Sequence, residues 1–260
     1  YRIMKSPVTL GADPELFLRD FSGKLISAIG KFGGTKQQPK PMEKLPNFFI
    51  QEDNVAVEFN VPPTNDRRTF MNNIVKALDH IEKQAHKLKL ELAIIPSGEF
   101  SVDQLQHPLA KRFGCDADFN VWTLNQNPQP KSANKNLRSA GAHVHIAYNK
   151  DFVKLGRSCD LFAGCPSIIF DSDMQRRLLY GKAGACRKKP YGLEYRVLSN
   201  FWLTKPRLTA MIFNQICQAL NFVMSDKQID EKDHETIITC INNADKNALR
   251  YLTRKYDLQY

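Results

Sequence analysis

The stretch Ala140–Ile146 reads AGAHVHI, in which small or polar residues alternate with apolar ones. Successive side chains of a β-strand point to opposite faces, so residues two apart lie on the same face. A strand here would have a polar face and an apolar face, formed respectively by Gly141, His143, His145 and Ala147 and by Ala142, Val144 and Ile146. We therefore predict a half-buried strand from His143 to Tyr148.

Three other stretches alternate in the same way, and we predict strands at Val8–Arg19, Asn54–Val61 and Leu193–Leu198. The polar face of a half-buried strand ordinarily meets water and mixes Lys, Ser and Thr. These polar faces instead carry acidic pairs and a Glu–Arg pair among Gly and Ala, the main members being Asp13, Glu15, Glu52, Glu58, Asn60, Glu194 and Arg196. We therefore interpret the four polar faces as parts of one ligand site.

The residue types on these faces are typical ligands of a divalent cation, because carboxylates and imidazoles converge on one surface. Without a cation, crowded carboxylates would repel one another and their pKa values would rise. The His-x-His pattern is also compatible with zinc, but the acidic positions outnumber the histidines. The site therefore favours a hard cation, Mg²⁺ with Mn²⁺ as the alternative.

A segment rich in Lys, Arg and Gly, from Arg176 to Asn200, includes the last of these strands. Its cations are Arg176, Arg177, Lys182, Arg187, Lys188, Lys189 and Arg196. A solvated loop or a nucleic-acid patch would have this composition too, but cations beside metal-binding carboxylates suit a nucleoside triphosphate better. A second basic segment, Gly30–Lys36 (GKFGGTK), has neither a Walker pattern nor a following helix, so it is weaker evidence for phosphate binding.

Amphipathic spacing predicts helices at Arg67–Leu90, Asp173–Tyr180, Arg207–Met224, Glu231–Asn242 and Asp245–Tyr256, and a further strand is predicted at Leu92–Pro96. Because strands and helices do not alternate regularly, we predict an α+β fold with a mostly antiparallel sheet. We expect a single catalytic domain over residues 1–260. It would have a long loop excursion at 23–50, and C-terminal helices at 204–260 packed on the sheet.

The composition is that of a globular protein, with 42% hydrophobic and 25% charged residues among 260, which argues against disordered and fibrous classes. No apolar run approaches the ~20 residues that span a bilayer, so we expect no membrane partner. The net charge of +10 favours anionic partners without choosing among them. Six cysteines without a CxxC pair predict reduced thiols and a cytoplasmic location. We expect Cys115 to be a buried structural residue rather than a nucleophile.

Several motifs resemble the carboxylate–amine ligases of the glutamine synthetase and glutamate–cysteine ligase superfamily. They are GADPELF (Gly11–Phe17), EFNVPP (Glu58–Pro63), AGAHVHI and YGLEYRVLSNFW (Tyr191–Trp202). A phage-borne branch of COOH–NH2 ligases is the nearest match, because GKFGGTKQQPKP (Gly30–Pro41) and FGCDADFN (Phe113–Asn120) resemble it too. The resemblance covers roughly Val8 to Leu203. It implies a curved antiparallel sheet that forms a funnel, with helices on the outer face, ATP at one mouth and the acceptor carboxylate at the other.

The resemblance also implies roles for individual residues. Glu15 and Glu58 would hold one metal, and Asp13, His143 and Glu194 would hold the metal that bridges the ATP phosphates; Asp13 stands where Glu is more usual. The remaining roles are nucleotide binding by His145, Lys182, Arg187, Arg196 and Lys36, catalysis by Glu52, Arg187 and Arg196, and substrate binding by Arg177, Tyr180 and Asn60. Arg187 and Arg196 thus serve both the nucleotide and the transferred phosphoryl group.

The function implied is an ATP- and Mg²⁺-dependent carboxylate–amine ligase that forms an amide or isopeptide bond through an acyl phosphate. Its partners would be ATP, a carboxylate and an amine, which could be small molecules, peptides or modified nucleobases. Two alternatives remain open: a guanidino-kinase-like phosphotransferase, and a non-catalytic basic protein that binds nucleic acid. Fewer metal carboxylates are typical of the first, and the second would need no carboxylate cluster. Direct nucleic-acid binding is compatible with the ligase but not required.

Overall fold

The computed structural model describes residues 5–111 and 117–260. The strands are Lys5–Arg19 (β1), Leu25–Ile26 (β2), Lys40–Pro41 (β3), Phe49–Asp53 (β4), Ala56–Asp66 (β5), Glu91–Ala93 (β6), Ser97–Glu99 (β7), Phe119–Asn120 (β8), Asn125–Gln126 (β9), Leu137–Ser139 (β10), Ala142–Ile146 (β11), Ala185–Lys189 (β12) and Gly192–Tyr195 (β13). The helices are Arg67–Lys87 (α1), Phe152–Cys159 (α2), Cys165–Ser167 (α3), Met174–Leu179 (α4), Pro206–Met224 (α5), His234–Asn242 (α6) and Lys246–Tyr256 (α7). Cys115 and residues 113–116 of the FGCDADFN motif lie outside the described ranges.

The main sheet has 11 strands, nine of which follow the order β3-β4-β5-β1-β11-β13-β12-β8-β9, while β2 and β6 pair with β1. The strand pairings within the described ranges are antiparallel. The predicted α+β class with a mostly antiparallel sheet is therefore confirmed. Strands from the N-terminal part of the chain lie directly beside strands that follow residue 141, so both parts contribute to one surface.

The apolar faces of the central strands are buried against the helices, as their alternation predicts. Residues with 0–1% exposure line this side, among them Leu10, Leu16, Val57, Phe59, Val144, Ile146 and Leu193. Helix α5 packs against α1, α2 and β1, and Trp202 and Phe213 are buried beside Phe70 of α1. Because the helices cover this face, the polar residues of the same strands are left on the opposite face.

The predicted helices form close to their expected bounds, and local caps explain where two of them begin. The Asp66 carboxylate accepts a hydrogen bond from the Thr69 N–H at the start of α1, and Asp173 does the same for Arg176 at the start of α4. The sequence analysis missed α2 and the π-helical turn Asp160–Gly164 that follows it. Gly156 and polar residues obscured the pattern there. Glycine fits at this position because a Cβ would lie 2.8 Å from Val121 Cγ1.

One predicted strand is wrong in its geometry. The sequence analysis treated residues 52–60 as a single alternating stretch, which placed Glu52 and Glu58 on one face. The chain instead reverses at Asn54, whose φ is 55°, and forms a hairpin in which Asp53 pairs with Ala56 and Glu52 pairs with Val57. Residues that pair across a hairpin share a face. Glu52 therefore lies on the face opposite Glu58, and Asp53 takes the place predicted for it.

The helices of the described ranges are too short or too polar for a membrane span. The five cysteines in these ranges are buried and unpaired: Cys159, Cys165, Cys186, Cys217 and Cys240.

Candidate active site

Strand register brings the polar residues of β1, β5, β11 and β13 together. Glu15 lies directly opposite Glu58, and Asp13 lies opposite His143. On the next pair of strands, His145 lies opposite Glu194. Residues directly opposite on an antiparallel pair have Cβ atoms about 4.5–5.5 Å apart. The register alone therefore places carboxylates and imidazoles within reach of one another.

The first group, here called the acidic cluster, consists of Glu15, Asp53 and Glu58. One carboxylate oxygen of each lies within 4.8 Å of the other two. Within the described ranges, no Lys, Arg or His forms an ion pair with any of the three. Glu15 Oε2 accepts a hydrogen bond from the Gly141 N–H at 2.8 Å. Among the described residues the cluster therefore has no ion-paired cation, and the charge of Arg196 only partly offsets the burial and repulsion that raise the pKa of Glu15.

Burial and mutual repulsion change the ionisation of this cluster. Burial, followed by the charge of Asp53, raises the pKa of Glu15 to about 8. Burial and the charges of Asp13, Glu15 and Asp53 raise the pKa of Glu58 well above its usual range. The Glu15 carboxyl therefore mostly holds its proton at neutral pH unless a cation replaces it, and the shift of Glu58 favours its protonated form.

The second group, here called the mixed cluster, consists of Asp13, His143 and Glu194. Lys189 Nζ lies 2.9 Å from Glu194 Oε2, and Arg196 Nη1 contacts Glu194 Oε1. His145 Nε2 lies 3.0 Å from Asp13 Oδ2, and His143 Nδ1 lies 3.3 Å from Asp13 Oδ1. The negative charges of the mixed cluster are thus balanced by the protein itself.

The pKa values of the mixed cluster follow from this balance. Although burial alone would raise the pKa of Asp13, the charge of His145 and the hydrogen bond from His143 hold it below its usual range. Burial and Asp13 oppose the ionisation of Glu194, but Arg196 and the two histidines outweigh them and lower its pKa to about 2. Burial and the charge of Arg196 lower the pKa of His143, which favours the neutral imidazole that ligates metals.

Both groups fit a divalent cation by the chemistry of their donors. The acidic cluster offers three carboxylates, the ligands preferred by Mg²⁺ and Mn²⁺. Its raised pKa values are relieved when a cation enters and the protons leave. The mixed cluster offers two carboxylates and a neutral imidazole, but there a metal must compete with Lys189 and Arg196.

A cavity of about 340 Å³ opens beside both clusters. Glu15, Asp53 and His143 line it on the sheet side. Basic residues and a phenol complete its wall, namely Lys36, Arg138, Arg176, Tyr180 and Arg196. Lys36 and Tyr180 were predicted to lie at the site, and the structure places both against this cavity.

Three predicted ligands lie elsewhere. Arg177 is 4% exposed, donates hydrogen bonds to the backbone carbonyls of Asp171 and Ile241, and so ties α4 to α6 away from the described lining of the cavity. Lys182 is exposed and Asn60 is half-buried on β5, and neither is among the described residues that line the cavity. The neighbouring Arg176 takes the place predicted for Arg177, because in the short helix α4 it is Arg176 that faces the cavity.

Arg187 and Arg196 share a carboxylate that the sequence analysis missed. Asp118 Oδ1 lies 2.6 Å from Arg196 Nε and 3.6 Å from Arg187 Nη2. Arg187 lies on β12 directly opposite Glu194, so both arginines are fixed next to the mixed cluster. Tyr191 was also missed: its hydroxyl contacts Nδ1 of His145.

Gly141 leaves room for two side chains of the site. A Cβ at this position would lie 2.5 Å from His143 Nε2 and 2.9 Å from Arg176 Nη2. The Gly141 N–H donates a hydrogen bond to the Glu15 carboxylate, and the Glu15 N–H donates one to the Gly141 carbonyl. A larger residue here would displace the side chain of His143 or Arg176.

Glu52 does not belong to either cluster. Its carboxylate accepts hydrogen bonds from the backbone N–H groups of Gly30, Lys31, Phe32 and Gly33. Glu52 also lines the cavity, so the catalytic role predicted for it stays a prediction. The hydrogen bonds do bear on the Gly-Lys segment, because those four N–H groups are occupied by Glu52 and are not offered to a phosphate.

Of the site residues that were not predicted, some lie next to a recognisable local sequence pattern and others do not. Asp53 precedes Asn54, and an Asp–Asn pair between two apolar alternations is a turn signal that would have placed Asp53 on the face of Glu58. Asp118 gave no such signal, because only the pairing of β8 with β12 brings it near Arg196.

Comparisons with known proteins find one family match. Residues 132–257 match the family described as phage phiEco32-like COOH.NH2 ligase-type 2. This match supports a carboxylate–amine ligase. No curated protein sequence matches the chain.

Similar solved structures include three of low sequence identity. The one titled "Apo GmaS without ligand" has 11% identity and a TM-score of 0.45, over 97% of this chain and 70% of that one. The glutamine synthetase of Plasmodium falciparum has 11% identity and a TM-score of 0.44, over 87% and 53%. A structure titled as a novel glutamine synthase homolog has 10% identity and a TM-score of 0.41, over 95% and 66%. The chain thus spans about half the length of the Plasmodium enzyme.

The family match includes residues on three strands of the site, His143 on β11, Arg187 on β12 and Glu194 on β13, and ends before the C-terminus at residue 257. The N-terminal strands that carry Asp13, Glu15 and Glu58 precede it. Residues 132–257, just under half of the chain, are thus similar to the phage phiEco32-like COOH.NH2 ligases, in agreement with the predicted resemblance to amidoligases.

Proposed function

We propose that this protein is an ATP- and Mg²⁺-dependent carboxylate–amine ligase that forms an amide or isopeptide bond through an acyl phosphate. The observation that carries the proposal is the acidic cluster. Three carboxylates that have no ion-pair partner among the described residues lie beside a cavity that three arginines and a lysine also line. Such a cluster needs an external cation, and the basic wall suits a polyphosphate or a carboxylate.

The two clusters would hold the cations. Glu15, Asp53 and Glu58 would bind one Mg²⁺, and Asp13, His143 and Glu194 would bind the second, with Mn²⁺ as an alternative. A bound Mg²⁺ supplies Lewis-acid stabilisation of the phosphate oxygens. His145, Arg187 and Arg196 would lie near the nucleotide phosphates, since they surround the mixed cluster.

The reaction would proceed in two steps that balance in atoms and charge. A carboxylate oxygen of the acid attacks the γ-phosphorus of ATP, ADP leaves, and an acyl phosphate forms. Arg187 and Arg196 would stabilise the negative charge that spreads over the transferred phosphoryl oxygens. The nitrogen of the amine then attacks the acyl carbon, inorganic phosphate leaves, and the nitrogen gives up a proton to a basic group of the site. The products are an amide, ADP and phosphate.

The cavity wall would orient the acid. Arg176 is 2% exposed and donates hydrogen bonds to the carbonyls of Val197 and Arg196. Tyr180 lies on the same wall. A buried guanidinium and a phenol side by side fit a carboxylate and its neighbouring polar groups. We assign both residues to the substrate end of the cavity.

We further propose that the described chain acts as one catalytic domain. The site needs β1 and β5 from the first part of the chain and β11, β12 and β13 from the second. Because β1 lies between β5 and β11, neither part alone would form the two clusters.

The first test is calorimetric titration of a non-hydrolysable ATP analogue with and without Mg²⁺. We expect binding to the wild type that requires Mg²⁺, and at least a tenfold loss, about 1.4 kcal/mol, in the Glu58→Gln protein. Acids and amines would then be screened for release of ADP.

The matched control is Glu82→Gln, which removes a carboxylate from the exposed side of α1. It should bind the nucleotide as the wild type does. Nucleotide binding that is absent under every metal condition would exclude the ligase, and DNA and RNA binding would then be measured. Phosphorylation of a guanidino compound without any amide product would favour the phosphotransferase instead.

A further inference from the structure

Four successive backbone N–H groups of the loop that follows β2 donate hydrogen bonds to one side chain. Glu52 Oε2 accepts a hydrogen bond from the Gly30 N–H at 2.8 Å, and Oε1 accepts three more from Lys31, Phe32 and Gly33 at 2.9, 2.8 and 2.7 Å. Consecutive backbone N–H groups that converge in this way form an anion-binding concavity. In this loop the anion in the concavity is the carboxylate of Glu52.

The backbone of the loop is shaped for this contact. Gly30, Gly33 and Gly34 have φ values of 77°, 75° and 79°, a region that side-chain-bearing residues rarely adopt. Gly34 also lies so close to β4 that an added Cβ would be 2.9 Å from the backbone nitrogen of Lys40 and in contact with the Ile50 carbonyl. The Glu52 N–H donates to the Gly34 carbonyl at 3.3 Å. Backbone and side chain of Glu52 thus bind the loop at two successive places.

The residues just beyond this contact reach the cavity. Thr35, Lys36 and Gln37 line it, together with Asp53 and Glu15 of the acidic cluster. Glu52 precedes Asp53 on β4, so the strand that presents an acidic-cluster carboxylate also anchors the loop that presents Lys36. We infer that Glu52 is a positioning residue, whose carboxylate fixes the loop on β4 and thereby sets Lys36 at the cavity for the reaction. This inference rests on the proposed ligase function.

The contact requires a carboxylate and not only a polar group of similar size. Both oxygens of a carboxylate accept hydrogen bonds, whereas a carboxamide has one acceptor and an NH2 donor. In Glu52→Gln, the NH2 group of the side chain would face a backbone N–H donor, and no hydrogen bond could form between the two donors. Glu52→Ala would leave the concavity without an anion. The matched control is Glu91→Gln, which removes an exposed carboxylate on β6 paired with Arg19.

Limited proteolysis of the full chain tests the anchoring directly. Trypsin cleavage after Lys31 and Lys36, followed by mass spectrometry, should be roughly 10-fold faster in Glu52→Gln and Glu52→Ala than in the wild type, because the loop opens more often. Glu91→Gln should match the wild type. Sodium acetate, compared with sodium chloride at equal ionic strength, should slow the cleavage of Glu52→Ala and leave that of Glu52→Gln unchanged. Equal cleavage in all four proteins would overturn the inference.

Kinetics of ADP release test whether Glu52 acts through Lys36. Glu52→Gln and Lys36→Met should change the same parameter, kcat or KM, by about 10- to 100-fold. The double variant should be no worse than the worse single variant, because the second change removes a residue already misplaced. Effects that multiply would overturn the positioning role. Wild-type protein that neither binds Mg-ATP nor releases ADP would overturn the proposed function and the role of Lys36 with it, while the trypsin result decides the anchoring on its own.

Discussion

The acidic cluster and the mixed cluster lie side by side on one sheet, yet they hold their negative charge in opposite ways. Glu15, Asp53 and Glu58 have no protein counter-cation within the described ranges, and the pKa values of Glu15 and Glu58 rise. In the mixed cluster, Lys189 and Arg196 contact Glu194, whose pKa falls to about 2. The difference shows that a set of ligands alone does not define a metal site. What surrounds the ligands decides whether the metal replaces protons or competes with the protein's own cations.

The largest expected effect is on the pH dependence of stability. The unfolded pKa of Glu15 is 4.5 and its folded pKa is about 8. Between these values the folded protein holds a proton that the unfolded chain releases, so the free energy of unfolding falls as the pH rises. The slope from this group approaches ~1.4 kcal/mol per pH unit. Urea unfolding in EDTA at about pH 5 and about pH 8 measures it.

Two comparisons isolate the acidic cluster in that measurement. The Glu15→Gln protein lacks the titrating group and should show a smaller fall over the same range. Saturating Mg²⁺ should also flatten the wild-type dependence, because it holds the carboxylates without protons. For Glu194 the sign is opposite: its stabilising ionisation is complete above pH 4.5 and is lost only as the pH falls towards 2. A wild-type dependence that is identical with and without Mg²⁺ would contradict the distinction between the clusters.

The second largest expected effect is the loss of stability when a carboxylate of the mixed cluster is removed. Glu194 is 1% exposed and contacts both Arg196 and Lys189. Glu194→Gln leaves these cations without their carboxylate, and removal of one partner from a buried ion pair costs about 3–5 kcal/mol. Because the Lys189 side chain is 30% exposed and water screens part of its charge, we expect the lower end, ~3 kcal/mol. Urea unfolding in EDTA is the measurement, and an unchanged midpoint would show that the contacts contribute little.

The matching substitution in the acidic cluster should have the opposite sign. Glu58→Gln removes one of three crowded carboxylates, so the metal-free protein should gain about 1 kcal/mol of stability at neutral pH. The same variant should lose the stabilisation that Mg²⁺ gives the wild type, because one ligand is gone. Thermal unfolding with and without Mg²⁺ measures both effects. A metal-free loss as large as that of Glu194→Gln would mean that the two clusters do not differ.

Much of this arrangement follows from the sequence, and the exceptions have physical reasons. Alternation along β1, β11 and β13 placed Asp13, His143 and Glu194 on one face, because side-chain direction in a strand depends only on parity. The alternation gave the wrong face at Asn54, because the chain forms a hairpin turn there. Asp53, and not Glu52, therefore lies on the face of Glu58. A shift of one residue in the register of a strand moves each of its side chains to the other face of the sheet.

Other features depend on distant parts of the chain. Arg176 and Arg177 are neighbours in a short helix, and only its packing on the sheet decides which of them faces the cavity. Asp118 reaches Arg196 because β8 pairs with β12, a contact between segments about 70 residues apart. The sequence therefore predicts which faces are functional better than it predicts which charges balance them.

The smallest expected effect is at an exposed ion pair. It tests whether burial or contact distance sets the contribution of the mixed-cluster ion pairs to the free energy of unfolding. Lys83 and Asp79 on α1 form an ion pair of 2.6 Å, shorter than the 2.9 Å between Lys189 and Glu194. Both side chains of the helical pair are more than half exposed, at 70% and 57%, and water and salt screen such a pair. Asp79→Asn should therefore change the free energy of unfolding by only about 0.3–0.5 kcal/mol, and less in high salt. If urea unfolding gave a loss close to that of Glu194→Gln, contact distance rather than desolvation would set the energy of these pairs, and the contrast between exposed and buried charge would fail.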